Sequence, residues 1–440
     1  MLTSQGRQRL SDLAESFWLL PGMMVAAGIL LALMLVQVDR SGIVPQALID
    51  SPWLYNGGGT GARTLLGAVA SSTIGVAGTV FSITIASLSL AAGQMGPRLL
   101  RNFVRDRGNQ FTLGAFLGTF SYALMVLRSV RTRAEGEFIP HVSMSAGIVL
   151  AFVCVGTLVF FVGHMVARIN VDTVIELVSQ DVCRAIRRLT LAQAPAPGTA
   201  GAIDPSFVAI RDGRRGYLQQ LDADRLADWA AHRGVTIHLL VRPGDLVFPG
   251  AVIALASPQG SGVAEAIRRT TALGPQRVST DDLEFSIRQL VEVAVRALSP
   301  GINDPHTAMA VIDRLGVALC DLAPRYLPDG RVMRGDRPVL VMPVVHYDGL
   351  VDAMLHMIRQ NATGNTAVLI RILDVLNAVI GCERAPARMA VLQRHADLVL
   401  GDGERDIATP ADLADLRSRH ARFAELRHCD PHAVPALATC

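Results

Sequence analysis

Asn303, Asp304, His306 and Thr307 form the densest polar run in the second half of the chain. At a helix N-terminus, where backbone N–H groups gather, such a set could hold a small anion or a metal ion. The commoner role of these residue types is a corner between two helices. Asp304 then caps, Asn303 hydrogen-bonds the turn, and Pro305 opens the next helix. A lone His306 cannot hold zinc. His346 and His356 become partners only if folding brings them near. A second set is basic. Arg98, Arg101 and Arg105 share one helix face just past an apolar segment. They could draw anions into a vestibule, although anchoring to lipid phosphates is the commoner use. The third set has no charge. Ser72, Gly75, Thr79, Ser82, Ala86, Ser89 and Gly93 recur at steps of three and four within Leu65–Gly93. That spacing keeps them on one face of a helix. Such a face suits helix packing or a water-filled lining, with Val76, Val80, Ile83 and Leu90 alongside for lipid or apolar contact.

Composition removes several chemistries. All 41 basic residues are arginine. Without lysine the chain carries neither a P-loop lysine nor a Schiff-base amine. It also lacks G-x-S-x-G, H-E-x-x-H and EF-hand patterns. The expectation is a protein that is not an enzyme, with no catalytic residue, no cofactor and no metal. A net charge of +3 gives no argument for nucleic acid. The six cysteines, Cys154, Cys183, Cys320, Cys382, Cys429 and Cys440, form no C-x-x-C pair. Their scatter suggests reduced thiols in a cytoplasm.

The elements that would position these residues begin with four apolar segments, Trp18–Val38, Leu65–Ala92, Phe111–Leu127 and Val142–Gly163. Each approaches or exceeds the roughly 20 residues that cross a bilayer as a helix. The first is longer than a signal-peptide core and ends in Gln37-Val38-Asp39-Arg40, so it reads as an uncleaved anchor. Arg98, Arg101, Arg105 and Arg107 outweigh Asp106 between the second and third spans. Arginine excess marks a cytoplasmic loop. Both termini then lie in the cytoplasm, and Arg128, Arg131 and Arg133 lie outside. Gly114 and Gly118 make a GxxxG pair in the third span, and Gly147, Ala151 and Cys154 line the fourth, which suits close helix packing. No ionisable residue falls inside an apolar core, which argues against ion-coupled transport.

Beyond the spans, residues 166–190 read as an amphipathic helix ending in Arg184, Arg187 and Arg188, cations that complement the helix dipole or meet anionic headgroups. A Pro/Gly/Ala linker follows at 194–201. Phe207–Arg211 and Gly216–Leu221 read as strands around an Asp212-Gly213 turn, then come a helix at Ala223–His232 and strands at Val235–Val241 and Ala251–Ala256. The Pro243-Gly244-Asp245-x-Val247-x-x-Gly250 phrase resembles a turn of lipoyl-type modules, but no lysine is present to carry a swinging arm. From Asp281 the pattern is helical, with Arg288, Glu292 and Arg296 spaced to pair along one helix. Further helices are expected at 347–361, 365–382, 386–400 and 410–426, and a strand at Arg337–Val345.

Two runs, Ala297–Ala308 (ALSPGINDPHTA) and Gln94–Phe103 (QMGPRLLRNF), together with the four-span start, resemble a family of bacterial predicted membrane proteins of unknown function. The likeness covers nearly the whole chain. It implies an inner-membrane protein with a cytoplasmic C-terminal region, and it carries no established activity.

The expected fold class is membrane α-helical, with a four-helix transmembrane region at 1–165, an amphipathic connecting helix at 166–193, a small β-rich module at 194–260 and a mainly helical cytoplasmic domain at 261–440. The leading functional expectation is a homo-oligomer forming a passive channel-like pathway in the bacterial inner membrane, with anionic lipid headgroups as partners and a cytoplasmic domain that assembles or gates it. The alternative is a membrane-anchored binding or scaffold protein without transport.

Overall fold

The computed structural model describes residues 17–41, 43, 45, 54–95, 106–131, 138–194, 207–258, 262–278 and 281–428. Its contacts divide the chain into two units, and the boundary after the spans falls between Asn170 and Val171.

The first unit is four helices, α1 (Leu19–Ser41), α2 (Gly59–Met95), α3 (Arg107–Ser129) and α4 (His141–Ile169). All four are long and apolar enough to cross a membrane. At about 1.5 Å per residue α2 runs roughly 55 Å, well beyond the ~30 Å hydrocarbon core. The central helix is α3, with 61% of its apolar window buried against 22% for α1 and α4. Its small residues explain that position. Gly114 lies against the Met24 side chain, and Gly118 lies so near the Met24 carbonyl that an added Cβ would sit 2.9 Å from its oxygen. Gly28 faces Gly118 across the same crossing. The GxxxG pair is therefore the seat of α1. Where all four helices meet, Ala32, Leu66, Tyr122 and Met144 are fully buried. The Tyr122 hydroxyl donates to the Ser143 carbonyl at 2.7 Å, so the buried ring leaves no polar atom orphaned.

Carboxylates tie the ends of this bundle. Asp39 accepts from the Val142 and Ser143 amides, both at 3.0 Å, and from the Ser143 hydroxyl at 2.6 Å. It thereby satisfies N–H groups at the start of α4 that have no intrahelical partner. Asp106 caps α3 through the Gly108 amide at 3.0 Å and meets His164 Nε2 at 2.6 Å. A Cβ on Gly108 would strike that imidazole, so the cap and the histidine require glycine there. Asp39→Ala is expected to cost about 0.5–2 kcal/mol, the range for a lost helix cap. Thermal unfolding of the full chain in detergent reads it, and an unchanged midpoint would show these hydrogen bonds to be energetically silent.

The second unit opens with α5 (Val171–Leu189). The expected amphipathic helix is present, but the chain breaks at Asn170 rather than running on from the span. Its apolar stripe, including Val174, Val178 and Val182, is buried against α8 (Leu283–Ala297) and α9 (Pro305–Leu322). Arg187 and Arg188 stand in its last turn as expected, and a further cation comes from elsewhere in the chain. Arg325 donates to the carbonyls of Arg187 at 3.0 Å and Thr190 at 2.9 Å.

Between these helices lies the β-rich part, with β1 (Val208–Asp212), β2 (Gly216–Leu221), β3 (Thr236–Leu239), β4 (Leu246–Val247), β5 (Ala251–Ser257) and β6 (Thr271–Gly274), plus helices α6 (Ala223–Arg233) and α7 (Val263–Thr270). The strands around Asp212-Gly213 do not pair with each other. One sheet has the order β1-β5-β3-β8-β7, completed by β7 (Arg331–Arg334) and β8 (Arg337–Val341), and the other is β4-β2-β6. The β3–β8 pair is parallel and the remaining pairs are antiparallel. At the crossing, Asp212 is 1% exposed and grips the Arg214 amide at 2.9 Å and its guanidinium at 2.7 Å. Arg214 also reaches the Thr271 hydroxyl on β6 at 2.8 Å. That pair, with its carboxylate buried, sits where the chain passes from one sheet to the other.

The remaining helices are α10 (Tyr347–Asn361), α11 (Thr366–Cys382), α12 (Pro386–Asp406) and α13 (Pro410–His428). On α8, Arg288 pairs with Glu284 at 2.6 Å, a carboxylate outside the expected Arg288, Glu292 and Arg296 set. Glu284 is shared with Arg242 at 2.7 Å.

Candidate functional site

The uncharged face of α2 is determined by what the other face does. Leu66, Ala70, Thr73, Ala77, Val80, Thr84 and Ser87 are buried in the bundle. The small-residue line sits two positions further along this register, about 200° round the helix at 100° per residue. Ser72, Gly75, Thr79, Ser82, Ala86, Ser89 and Gly93 are accordingly all exposed on the protomer. A Cβ on Gly75 would meet nothing within 4 Å. Of the stripe expected to meet lipid or apolar neighbours, Val80 is 2% exposed and packs inside the bundle, while Ile83 and Leu90 are exposed. Its place in the seven-residue register of Thr73 and Ser87 puts it inward. The exposed hydroxyls already donate within their own helix, Thr79 to the Gly75 carbonyl at 3.2 Å and Ser82 to the Gly78 carbonyl at 2.9 Å. The face is thus small, internally satisfied and still able to accept hydrogen bonds. Arg98, Arg101 and Arg105, the basic set expected past this helix, lie outside the described residues.

The polar corner is a capped turn in this structure. Asp304 accepts from the Thr307 amide at 3.1 Å and hydroxyl at 2.6 Å. The Thr307 hydroxyl, more than any other group, holds the Asp304 carboxyl below the ordinary carboxylate range. Asn303 adopts φ +49°, the left-handed region that Asn tolerates, and its amide donates to the Ser299 carbonyl at 2.8 Å. His306 is an exposed side chain, and His346 is exposed at the N-cap of α10. Folding does not bring these two histidines to each other or to His356 in any group with metal-ligand spacing among the described residues.

It brings His356 to a residue that the sequence reading passed over. Asp352 and His356 are one turn apart on α10, and α12 packs beside it carrying Arg394 and His395. Asp352 Oδ1 lies 2.8 Å from His395 Nε2, 3.2 Å from His356 Nε2 and 2.5 Å from the Arg394 guanidinium. The two imidazole centroids are 5.0 Å apart. His395 is 0% exposed, and burial pushes its pKa down to about 4 against the opposing pull of Asp352. The ring is therefore neutral at pH 7. Burial raises the Asp352 carboxyl, but hydrogen bonds from Arg394 and His395 outweigh that and leave it below its ordinary value. The sequence held one half of this signal, the Asp-x-x-x-His spacing on a helix. The other half lies 39 positions on, in a helix whose docking no local pattern states.

The thiols Cys154, Cys183, Cys320 and Cys382 are free, and Cys429 and Cys440 lie outside the described residues. Cys320 neighbours Cys382, and burial pushes its pKa up to about 12, which keeps it a protonated, unreactive thiol at neutral pH.

Four spans followed by a mixed, mainly helical region define an integral membrane protein with a large extramembrane part. Residues 14–378 match the family described as predicted membrane protein (DUF2254), and the chain belongs to that family. Among its relatives are the uncharacterized protein MT1328 of Mycobacterium tuberculosis (strain CDC 1551 / Oshkosh) and the uncharacterized protein Mb1321c of Mycobacterium bovis. Each is 31% identical over 431 residues, covering 95% of this chain and 82% of the relative. No solved structure matches the chain.

Proposed function

We propose that the protein forms a homo-oligomer in the bacterial inner membrane, in which the exposed face of α2 from each copy borders a passive, channel-like pathway. Both termini then lie in the cytoplasm, where the region from α5 onward assembles or gates the ring. The single observation that carries this reading is the orientation of α2. A helix that buries its Leu66–Ser87 face turns seven small or hydroxyl-bearing residues outward between Ser72 and Gly93. Small residues let backbones approach closely in lipid, where no hydrophobic force drives helices together. Hydroxyl oxygens with free lone pairs also suit contact with water. Arg98, Arg101, Arg105 and Arg107 support the orientation through the excess of cations expected on the cytoplasmic side. One four-helix protomer is too small to enclose a pathway, so closed rotational symmetry is the expected arrangement.

Single cysteines test this. Ser82→Cys and Ala86→Cys should react with a small, charged aqueous thiol reagent in native membranes, above the labelling of the parent chain. Phe152→Cys, on an exposed apolar face of α4, should stay silent. Salt flux from liposomes holding the purified chain completes the test. Silent Ser82→Cys and Ala86→Cys variants with no flux under any gradient would remove the pathway.

A second reading has its own observation. The side-chain group at Asp352, His356 and His395 belongs wholly to the second unit, which suits a membrane-anchored binding protein without transport. Unreactive α2 cysteines together with an intact oligomer would favour it.

A further inference from the structure

We propose that Asp352, His356 and His395 form a binding site for a divalent transition metal of the Zn²⁺ class, a property independent of any pathway through the membrane. The donor atoms of the three residues all lie within 4.8 Å of one another. The carboxylate-to-imidazole distances of 2.8 and 3.2 Å are near the roughly 3.3 Å that separates two ligands each ~2.0 Å from one tetrahedral ion. Two imidazoles and a carboxylate are the nitrogen and oxygen donors that Zn²⁺, Co²⁺ and Ni²⁺ favour over Mg²⁺ or Ca²⁺. Asp352 and His356 stand one turn apart on α10, the helical spacing that directs two ligands at one ion.

Hydrogen bonding alone accounts poorly for this arrangement. Asp352 Oδ1 faces three donor groups, from Arg394, His395 and His356. One carboxylate oxygen offers about two lone-pair sites, so the third donor is surplus. The Nδ1 atoms of both His356 and His395 are also buried without a hydrogen-bond partner. Buried polar atoms left in this state call for an explanation, and a missing ion is one of the usual ones. A cation between the three side chains turns both Nε2 atoms from competing donors into ligands, with the single N–H of each neutral imidazole then on Nδ1. Arg394 has a side chain 45% exposed and can move off or stay as an outer partner of the carboxylate. His395 is completely buried, so its imidazole is already positioned between α10 and α12 before any ion arrives. Three protein ligands leave a fourth position for water or another group.

The probe is Co²⁺, followed by its visible absorption, on the full chain in detergent. The preparation carries no polyhistidine tag and is first stripped with a chelator. One equivalent per chain should bind and be displaced by Zn²⁺. His356→Ala should weaken binding by about tenfold or more, and Asp352→Asn should do likewise. His356 has a side chain 32% exposed, so its alanine variant tests the site even if His395→Ala fails to fold. A Cys320→Ser, Cys382→Ser double variant should bind as the parent does. Zn²⁺ should also raise the Tm of the parent chain and leave that of His356→Ala unchanged. Absence of saturable uptake by the parent chain, unaltered affinity in His356→Ala, or loss of binding only in the thiol double variant would each overturn the site.

Discussion

Gly28→Ala should lower the stability of the membrane unit, although it adds only one methyl group. At Gly28 a Cβ would meet the Gly118 carbonyl carbon at 3.0 Å, with the carbonyl oxygen nearer still. Both are backbone atoms of α3 and cannot rotate away. The helices must separate, and α1 then gives up contacts along Met24, Ala32 and Val36, which lie against α3 or in the shared core. Overpacking of this kind costs about 1–3 kcal/mol, and a leucine at the same place should cost more. The matched control is Gly156→Ala, where an added Cβ meets nothing within 4 Å. There alanine should be neutral, or stabilising by about 0.5–1 kcal/mol through its better helix propensity. Thermal unfolding in detergent compares the two. Equal midpoints for Gly28→Ala and Gly156→Ala would show that α1 does not depend on this crossing. Gly75→Ala adds a useful contrast. It is free of contact in the protomer, so a loss of oligomer with unchanged protomer stability would place a copy of the chain against that face.

The largest single-residue effect is expected from Arg388→Ala in the second unit. Arg388 is partly enclosed, with a side chain 15% exposed, and Glu383 beside it is 1% exposed. The two approach to 3.5 Å. The guanidinium also donates to the carbonyls of Leu322 and Ala323 at 3.3 Å and of Arg325 at 2.8 Å, closing the C-terminal end of α9. It lies 4.9 Å from the centroid of the Tyr347 ring. Removing it takes the counter-charge from a buried carboxylate, which keeps only the Arg384 and Ala385 amides at 2.9 Å among its described partners, and takes a donor from the final carbonyls of a helix. Breaking a buried ion pair from one side costs about 3–5 kcal/mol, because the remaining charge is left uncompensated. By contrast Arg417→Ala breaks a pair with Glu404 whose side chains are 56% and 44% exposed, and it should cost under about 1 kcal/mol. Urea midpoints of the full chain in detergent, followed by far-UV circular dichroism, would separate these values. Similar midpoints for both variants would mean that Arg388 is not the clasp described.

These two residues also show how far local reading reaches. The GxxxG pair at Gly114 and Gly118 is visible in the chain, because two glycines four apart on an apolar helix have few other uses. Its partner is not visible. The structure seats α1 there, with Gly28 set against the Gly118 backbone at the crossing. Arg388 is merely one arginine among 41, and its distinction comes from three carbonyls at the end of another helix.

The same division runs through the whole chain. Four spans, their near-complete exclusion of charge, the Asp304–Pro305 helix start and the run of later helices follow from short-range rules, and each appears where those rules place it. A bilayer-length apolar run or a capping side chain acts on its own few turns, so the chain itself suffices to state it. The tertiary structure alone decided the rest. It sent β1 and β2 to different sheets, turned Val80 inward and the Ser72–Gly93 line outward, and set His395 against Asp352 and His356. Each of those outcomes depends on which surfaces dock, and docking is chosen by summed packing over residues far apart in the chain, which no neighbouring pattern encodes.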